Sequence, residues 1–594
     1  MVYRAPTSDI AFWLKSVAGM EAELAAGTFG DLDGDLVDAV IGEAGRFATE
    51  ELAPVNRQGD IEGAQLIDGQ VRLPRGWPDL YRRWAEGGWN ALTGSPDHGG
   101  QGLPTMLYAA TLEIWNGANT AFATGTMLTI GAMEALEAHG SDEQKTLYLD
   151  KLISGEWTAS MNLTESQAGS DLSGMRTRAE PVGDGSYRIF GQKIFITHGD
   201  NDCAENIVHL VLARLPDAPA GTRGISLFVV PKRMINEDGS LGALNDVKVV
   251  GLEHKLGIHA SPTCVMQFGE KTGAIGWLVG EPNRGLAAMF TMMNSARMSV
   301  GLQGVGVAER AYQRARDYAN ERSQGRAAGW SGTGACPIIH HPDVKRMLLT
   351  QRGLTDAARA ICYSLAHALD LGRVGPEEVR AFYRDRAALL TPVAKAFSTD
   401  IAVEVASIGV QVHGGMGFVE ETGAAQDYRD ARILPIYEGT NGIQAIDLVT
   451  RKLTLADGEA FRSYVAELKA SVSDGKGVDG PEIRTIAEKV GAALDELTFA
   501  TNWLMRALSD GRTSDALAGA TPYLRLFGLA AGGAYHLKAV LADLAEATTT
   551  TEAARRLAVA RFYATDTMAV AGGLRLAATA GAAVIDDLNP ALLG

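Results

Sequence analysis

The sequence predicts an α+β protein, because the spacing of its apolar residues changes twice along the chain. Up to about residue 156 the spacing is helical, from 157 to 280 it alternates with period two, and beyond 280 it is helical again. The 594 residues are also too many for one hydrophobic core. We therefore expect a helical N-terminal domain with a short extension (1–156), an antiparallel β-barrel domain (157–280), a helical domain (281–455) and an additional helical domain (456–594).

The first segment contains two clear helical stretches. In DLVDAVIGEAGRFATEELAP (35–54) the apolar side chains recur near helical spacing. Further on, Met127, Ile130 and Met133 mark a buried helix that ends around Gly140. A methionine-rich helix is more typical of a protein core than of a cofactor site.

The second segment has the short alternating runs of β-strands. Tyr187, Ile189, Lys193, Phe195 and Thr197 alternate with other residue types, and Gly and Pro separate the runs. No GxGxxG motif follows a strand here, so a Rossmann site is not supported.

The two remaining segments are helical. The look-alike motif GLQGVG (301–306) lies inside a helical pattern, where its glycines permit close helix packing, and Pro342 stands where a helix can begin. We expect a break at SDGKGVDGP (473–481) between helical stretches and a loop at the threonine run 548–550. The Ala-rich amphipathic helices of the last segment suggest a packing and dimer-supporting role.

Composition excludes several classes of function. The chain has 46% apolar and 21% charged residues, which is typical of a soluble globular protein. With 54 basic and 71 acidic residues its net charge is −17, which argues against nucleic acid or an anionic membrane as the main partner. We expect neither a signal peptide nor a membrane span.

The cysteines and histidines do not predict a metal site. Cys203, Cys264, Cys336 and Cys362 are far apart and form no CxxC pair, so a disulfide framework and a zinc knuckle are both unsupported. The histidines of HHPD (340–343) are metal candidates by residue type only. A reducing, cytoplasmic compartment is the simplest interpretation.

Glu438 is the residue that composition singles out for chemistry. It lies between the apolar run ILPIY (433–437) and the small residues GTNG (439–442). Apolar neighbours disfavour a charged carboxylate and raise its pKa, as a general base near neutral pH requires. The glycines expose backbone amides that can stabilise an oxyanion. From these residues alone, a Glu at a helix start remains an alternative.

Four motifs resemble those of the acyl-CoA dehydrogenase superfamily and occur in the same order. They are MNLTESQAGSD (161–171), GQKIFITHGD (191–200), QVHGGMGF (411–418) and YEGTNGIQ (437–444). The N-terminal MVYRAPTSDIAFWL, the segment IIHHPDVKRMLL (338–349) and the long C-terminal extension resemble the extended branch that includes 3-methylmercaptopropionyl-CoA dehydrogenases. The resemblance covers nearly the whole chain and implies an acyl-CoA dehydrogenase-like fold.

The resemblance also implies a reaction. FAD and an acyl-CoA thioester are expected to bind, and Glu438 is expected to remove the α proton while a hydride leaves the β carbon for flavin N5. The product is a trans-2-enoyl-CoA, and the expected substrate is 3-methylmercaptopropionyl-CoA, which yields methylthioacryloyl-CoA. The expected electron acceptor is an electron-transfer flavoprotein.

The resemblance assigns roles to the residues that match the family's motifs. The cofactor-binding residues are Leu163 and Thr164 at the pyrimidine edge, Ser170 in the AGSD turn, Phe195 beside the ring, Thr197 near N5, Arg322 at the pyrophosphate of a neighbouring subunit, Gln411 and Gly415 at the adenosine half, and Thr440. The substrate-binding residues are Ser170, Arg297 for the CoA moiety, Tyr437 and Gly439. Sharing of the cofactor in this way implies a homodimer.

The chain departs from the family pattern at several positions. Asn294 replaces an acidic residue found in many relatives, Gly325 replaces a phenylalanine, and Phe195 replaces a tryptophan. These changes affect the expected CoA and adenine contacts. Ala296 leaves the alternative base position before Arg297 empty, so Glu438 remains the expected base.

Alternative functions stay open at this point. A medium- or long-chain fatty acyl-CoA dehydrogenase would share the reaction, and an acyl-CoA oxidase would pass electrons to oxygen. A nitroalkane oxidase is disfavoured because that branch has Asp at the position of Glu438. A non-catalytic protein on the same fold would not bind flavin.

Overall fold

The structure is a computed structural model that describes residues 3–593. Met1 and Val2 of the predicted N-terminal extension, and Gly594 of the last predicted segment, lie outside the described residues. The α-helices are α1 Thr7–Phe12, α2 Met20–Ala25, α3 Gly34–Phe47, α4 Ala53–Glu62, α5 Trp77–Glu86, α6 Thr105–His139, α7 Asp142–Ser154, α8 Gly285–Glu321, α9 Pro342–Val374, α10 Glu377–His413, α11 Ala424–Ala431, α12 Asn441–Asp447, α13 Glu459–Gly477, α14 Pro481–Ser509, α15 Thr513–Ala518, α16 Ala520–Ala545, α17 Thr551–Thr565, α18 Ala571–Ala578 and α19 Ala583–Asp586.

Twelve strands are described, and eight of them form one sheet. The strands are β1 Gln65–Ile67, β2 Gln70–Arg72, β3 Trp157–Asn162, β4 Arg178–Pro181, β5 Ser186–Thr197, β6 Asn206–Arg214, β7 Ile225–Pro231, β8 Arg233–Ile235, β9 Leu241–Leu244, β10 Val247–Leu252, β11 Thr263–Phe268 and β12 Ala274–Val279. The succession of helices, strands and helices confirms the predicted α+β class. Within residues 3–593, no helix combines the length and the apolarity that a bilayer crossing requires.

The described chain divides into two compact units. The helical unit contains residues 3–46, 105–117 and 297–593, and the mixed unit contains residues 47–104 and 118–296. The mixed unit therefore holds all twelve strands, and the helical unit holds the Glu438 region.

The large sheet of the mixed unit is mostly antiparallel and closes on itself. Its order is β10-β11-β5-β12-β7-β6-β3, and β4 pairs with both β5 and β6. The pairings among β4, β5, β12, β7 and β6 therefore form a ring, in line with the predicted barrel. Two pairings depart from the predicted antiparallel pattern, since β3 and β4 each run parallel to β6.

The predicted alternation along β5 fails near its end. Lys193 is fully buried, whereas Phe195, two residues on, is 59% exposed. Between Lys193 and Ile196 the strand has one residue more than its partner β11, and Phe195 has a φ of +59°. This β-bulge turns the side chain away from the pleat and so presents an aromatic ring on the surface of the unit.

The helical unit packs its long helices closely through glycines of α8, as the sequence predicted for GLQGVG. A Cβ at Gly301 would lie 2.9 Å from the Ala394 carbonyl oxygen, and one at Gly304 would lie 2.5 Å from the Ser398 carbonyl oxygen. Both acceptors belong to α10, so the backbones of α8 and α10 are in contact. On another side, α10 contacts α11 and α12, the two helices that flank the segment with Glu438.

Other local predictions have mixed outcomes. The helix start at Pro342 and the loop at 548–550 are confirmed. The break predicted at 473–481 is shorter than expected, because α13 continues to Gly477 and only residues 478–480 separate it from α14.

Candidate active site

Glu438 lies in a turn between α11 and α12, residues 432–440, here called the 432–440 turn. The turn is closed by the Asn441 amide, which donates to the Pro435 carbonyl at 3.0 Å. Glu438 and Gly439 are both left-handed, with φ of +54° and +87°. A residue with a Cβ adopts this conformation at a cost of about 1 kcal/mol or more, and such strain persists where surrounding contacts fix the backbone.

The surroundings of Glu438 raise the pKa of its carboxyl group. The residue is half-buried. Burial raises its pKa above the ordinary value, and the nearby positive charges of Arg297 and Lys395 oppose that rise. A carboxylate whose pKa is raised in this way is suited to accept a proton near neutral pH.

The backbone next to this carboxylate offers an unused donor. Among residues 3–593, the amide of Glu438 donates to no acceptor. The Gly439 side of the turn has no room for a side chain, since a Cβ there would lie 2.6 Å from the Gln444 Nε2 atom. A base and a free amide N–H on one residue can remove a proton and stabilise the resulting oxyanion together.

Arg297, Tyr437 and Thr440 all belong to this region. Arg297 is 8% exposed, and one guanidinium nitrogen lies 3.9 Å from the place where a Gly439 Cβ would be. Burial lowers its pKa, while Asp447 and Glu438 oppose the change. Tyr437 donates its hydroxyl proton to Gln303 Oε1, and Thr440 is the N-cap residue of α12. Arg297 therefore lies close to the proposed base, and its role toward CoA stays a prediction.

The mixed unit holds the residues predicted to meet the flavin ring. Leu163 and Thr164 follow β3, and the Ile194 amide of β5 donates to the Thr164 carbonyl at 2.9 Å, which joins the two motifs. Neither the Thr164 nor the Thr197 hydroxyl has a hydrogen-bond partner within the described chain. An exposed aromatic ring at Phe195 and two available hydroxyls fit a flat ligand with a polar edge, as flavin is.

A buried ion pair lies beneath this pair of motifs. Lys193 Nζ donates to the Leu163 carbonyl at 2.9 Å and to Glu165 Oε1 at 2.9 Å. Glu165 also accepts from the Arg176 and Thr177 amides. Burial alone would raise the pKa of Glu165, but Lys193, the Thr177 hydroxyl and the Arg176 amide lower it to about 2. The pair fixes the backbone that precedes Thr164.

The remaining predicted cofactor residues are exposed. Ser170 lies in a surface turn, Arg322 follows α8 with its guanidinium 3.3 Å from Gln324 Oε1, and Gln411 is near the end of α10. Gly415 lies in the 3-10 turn Gly414–Phe418. The role of Ser170 toward the cofactor, and the roles of Arg322, Gln411 and Gly415 toward a cofactor in a neighbouring subunit, stay predictions.

Sequence reasoning missed the polar residues behind the 432–440 turn. Lys395 is the main one, and Asn441, Gln303 and Gln444 accompany it. A signal was present, because Lys395 interrupts the apolar stretch of α10 in VAKAF, where a solvated lysine is unexpected. No group of three or more His, Cys, Asp or Glu residues in the described ranges is arranged to hold a metal ion.

Four family models match successive parts of the chain. They are "Acyl-CoA dehydrogenase, N-terminal domain" over residues 37–156, "Acyl-CoA dehydrogenase, middle domain" over 160–270, "Acyl-CoA dehydrogenase, C-terminal domain" over 283–453 and "Acetyl-CoA dehydrogenase C-terminal like" over 464–589.

Individual relatives extend over most of the chain. It is 48% identical over 544 residues to 3-methylmercaptopropionyl-CoA dehydrogenase from Ruegeria pomeroyi, covering 91% of this chain and 92% of that protein. It is 36% identical over 506 residues to a butyryl-CoA dehydrogenase from Syntrophomonas wolfei, covering 83% of each. The fold is similar to that of an acyl-CoA dehydrogenase complexed with FAD from Bacillus anthracis, with a TM-score of 0.72, 22% identity, and 95% and 90% of the two chains covered.

Proposed function

The chain belongs to the acyl-CoA dehydrogenase family, and we therefore propose that Glu438 is the base that removes the α proton of 3-methylmercaptopropionyl-CoA. The resemblance inferred from the four motifs is confirmed by the family match. The protein is an FAD-dependent oxidoreductase that introduces a double bond between the α and β carbons of an acyl-CoA. The roles of individual residues and the choice of acyl group are our proposal.

One observation carries the assignment of the base. Glu438 is half-buried, has a raised pKa and is held in a left-handed conformation directly before a glycine. Its own amide N–H has no acceptor among residues 3–593 and is available to the thioester oxygen. Strain combined with a perturbed pKa is typical of functional residues.

Proton removal and flavin binding involve different residues of the chain. Glu438 takes the α proton, and its amide donates to the thioester oxygen as negative charge develops there. Leu163, Thr164, Phe195 and Thr197 would hold the flavin ring and its polar edge. FAD bound by these residues would supply the acceptor for the hydride of the β carbon. A positioned base supplies roughly 10²- to 10⁴-fold in rate, so orientation and oxyanion stabilisation must supply the rest.

The choice of substrate has support from similarity alone. The relative from Ruegeria pomeroyi shares 48% identity over almost its full length, compared with 36% for the butyryl-CoA dehydrogenase. The two acyl groups are similar in size, and one methylene typically changes discrimination by only about 1 to 3 kcal/mol. A fatty acyl-CoA of short, medium or long chain is therefore the second candidate.

The decisive experiment is anaerobic reduction of the purified flavoprotein by a series of acyl-CoA substrates. We expect 3-methylmercaptopropionyl-CoA to bleach the flavin with the highest kcat/KM, butyryl-CoA to follow within about 100-fold, and palmitoyl-CoA to be slowest. A higher kcat/KM for octanoyl- or palmitoyl-CoA would overturn the substrate proposal. Purified protein that stays colourless with added FAD would contradict the assignment as a flavoenzyme.

Partners and location complete the proposal. We propose an electron-transfer flavoprotein as the electron acceptor. A dehydrogenase should reduce that flavoprotein faster than it forms peroxide in air, whereas an oxidase should form peroxide. We propose a homodimer in which Arg322, Gln411 and Gly415 contact the FAD bound to the partner subunit. We also propose four domains with boundaries at residues 156, 280 and 455. A cytoplasmic location is supported by the four unpaired cysteines.

A further inference from the structure

Lys395 is a fully buried lysine on α10 with all its hydrogen bonds directed at one segment. Its Nζ donates to the Leu434 carbonyl at 2.9 Å, to the Gly439 carbonyl at 2.9 Å and to Asn441 Oδ1 at 2.8 Å. An ammonium group has three N–H donors, so these three acceptors use all of them. The three N–H donors of Lys395 therefore all bond to one segment, which lies about forty residues further along the chain.

The three acceptors lie on both sides of Glu438. Leu434 precedes it by four residues, Gly439 follows it directly and Asn441 begins α12. The bonds of Lys395 thus hold both ends of the left-handed pair Glu438–Gly439. Backbone strain of this kind relaxes unless neighbouring groups fix it.

Asn441 provides a second connection to the same helix. Its Nδ2 lies 2.7 Å from Asp400 Oδ1, 2.9 Å from Thr399 Oγ1 and 3.1 Å from the Ala396 carbonyl oxygen, which are three acceptors for its two N–H groups. The 432–440 turn is therefore attached to about one and a half turns of α10, with Lys395 at one end of the attachment.

We propose that Lys395 is a positioning residue for the reaction, which holds the carboxylate and the free amide of Glu438 in place and, while it is protonated, keeps a positive charge behind them. This inference rests on the proposed function of Glu438. Lys395 touches neither substrate nor cofactor in this role. It acts only through the 432–440 turn.

The charge of Lys395 is balanced among several groups. Those that face it are Glu438 from the turn, Asp400 from its own helix and Arg297 from α8. Burial lowers the pKa of Lys395 to about 7, Glu438 and Asp400 oppose the shift, and Arg297 adds to it. A positive Lys395 favours the ionised form of Glu438, so its loss raises the pKa of the base.

The test compares four variants of the FAD-loaded full-length enzyme. Lys395→Met removes the charge and all three bonds, whereas Lys395→Arg keeps the charge and alters the bonds. Lys469→Met is the matched control, because the Lys469 side chain on α13 is 42% exposed and pairs with Asp495, far from the 432–440 turn in sequence. Glu438→Gln is the reference for loss of the base. Each variant is measured for FAD content, hydrogen exchange of the peptide 433–441, and anaerobic flavin reduction by acyl-CoA across pH.

For Lys395→Met we expect normal FAD content with flavin reduction about 10- to 100-fold slower than in the wild type. The Tyr437 and Asn441 amides, which are hydrogen-bonded in the turn, should exchange faster. The acid limb of the rate should move upward by about one pH unit. In Lys395→Arg the same amides should also exchange faster than in the wild type. The acid limb of its rate should stay within about half a pH unit of the wild type.

The inference is overturned if Lys395→Met matches Lys469→Met in exchange, rate and acid limb while Glu438→Gln is inactive. If Glu438→Gln reduces flavin at the wild-type rate, the proposed base is wrong, and the exchange result then decides the structural role of Lys395 separately. If Lys395→Met does not fold, Lys395→Arg carries the test. Wild-type exchange and rate in that variant would equally overturn the inference.

Discussion

Glu438 has a backbone conformation that would suit glycine better. Its φ of +54° costs stability for any residue with a Cβ, and burial of the carboxyl group adds a further cost by raising its pKa. Neither feature helps the protein fold. Poor solvation becomes useful if the residue accepts a proton, because a poorly solvated carboxylate gains more from protonation than a solvated one. The left-handed backbone is consistent with a residue that is held in one orientation for function.

We expect the Glu438→Gln variant to keep its yellow colour and to reduce its flavin about 10²- to 10⁴-fold more slowly, since an amide cannot accept the α proton. Stopped-flow reduction by acyl-CoA measures this. The matched control is Glu459→Gln, an exposed residue paired with Arg462, which should react as the wild type does. In the wild type the rate should rise with pH through an apparent pKa above the ordinary Glu value, because only the ionised carboxylate is a base. Substantial turnover by Glu438→Gln would refute the assignment.

Strand β5 shows which features a local sequence pattern can and cannot predict. Alternation correctly predicted a strand, but the bulge between Lys193 and Ile196 depends on pairing with β11, about seventy residues later. The same pairing places Phe195 outside and Lys193 inside. The residue pattern within β5 contains no information about its pairing with β11. The predicted alternation therefore fails at Phe195, one of the residues expected to contact the flavin.

The Lys193–Glu165 pair predicts a pH-dependent stability. The pKa of Glu165 is lowered to about 2 from an unfolded value near 4.5, so its contribution is complete above pH 4.5 and is lost as the pH falls toward 2. We expect Glu165→Gln to lower the free energy of unfolding by about 1 to 3 kcal/mol at pH 7, because it leaves buried donors poorly paired. The difference from the wild type should shrink on acidification.

Thermal unfolding of the apoprotein between pH 7 and pH 3 measures this difference. Glu180→Gln is the control, since Glu180 forms an exposed pair with Arg178 that is worth little. Equal stabilities for Glu165→Gln and Glu180→Gln at pH 7 would show that the buried pair does not support the fold as described.

At the scale of the whole chain, segment order and motif positions could be predicted from the sequence, because each depends on local spacing. The residues behind the base could not. Lys395 reaches Leu434 and Gly439 only because α10 packs against α8 and the 432–440 turn, and no local pattern contains that arrangement. The last segment was likewise predicted as helical without a stated role in the site. The structure places its α16 directly against α10, within the helical unit.

The contact between α16 and α10 can be tested at Gly528 of α16. A Cβ at this position would lie 2.2 Å from Cδ2 of Phe397, a fully buried ring two residues beyond Lys395 on α10. Because the ring cannot move without displacing the core, we expect Gly528→Ala to destabilise the protein by about 1 to 3 kcal/mol. Gly573→Ala is the control, since a Cβ at that exposed helical glycine meets no atom within 4 Å and should be neutral or slightly stabilising. Thermal unfolding with and without FAD measures both variants. If Gly528→Ala is as stable as Gly573→Ala, then α16 does not pack on α10, and the last segment is not part of the support behind Lys395.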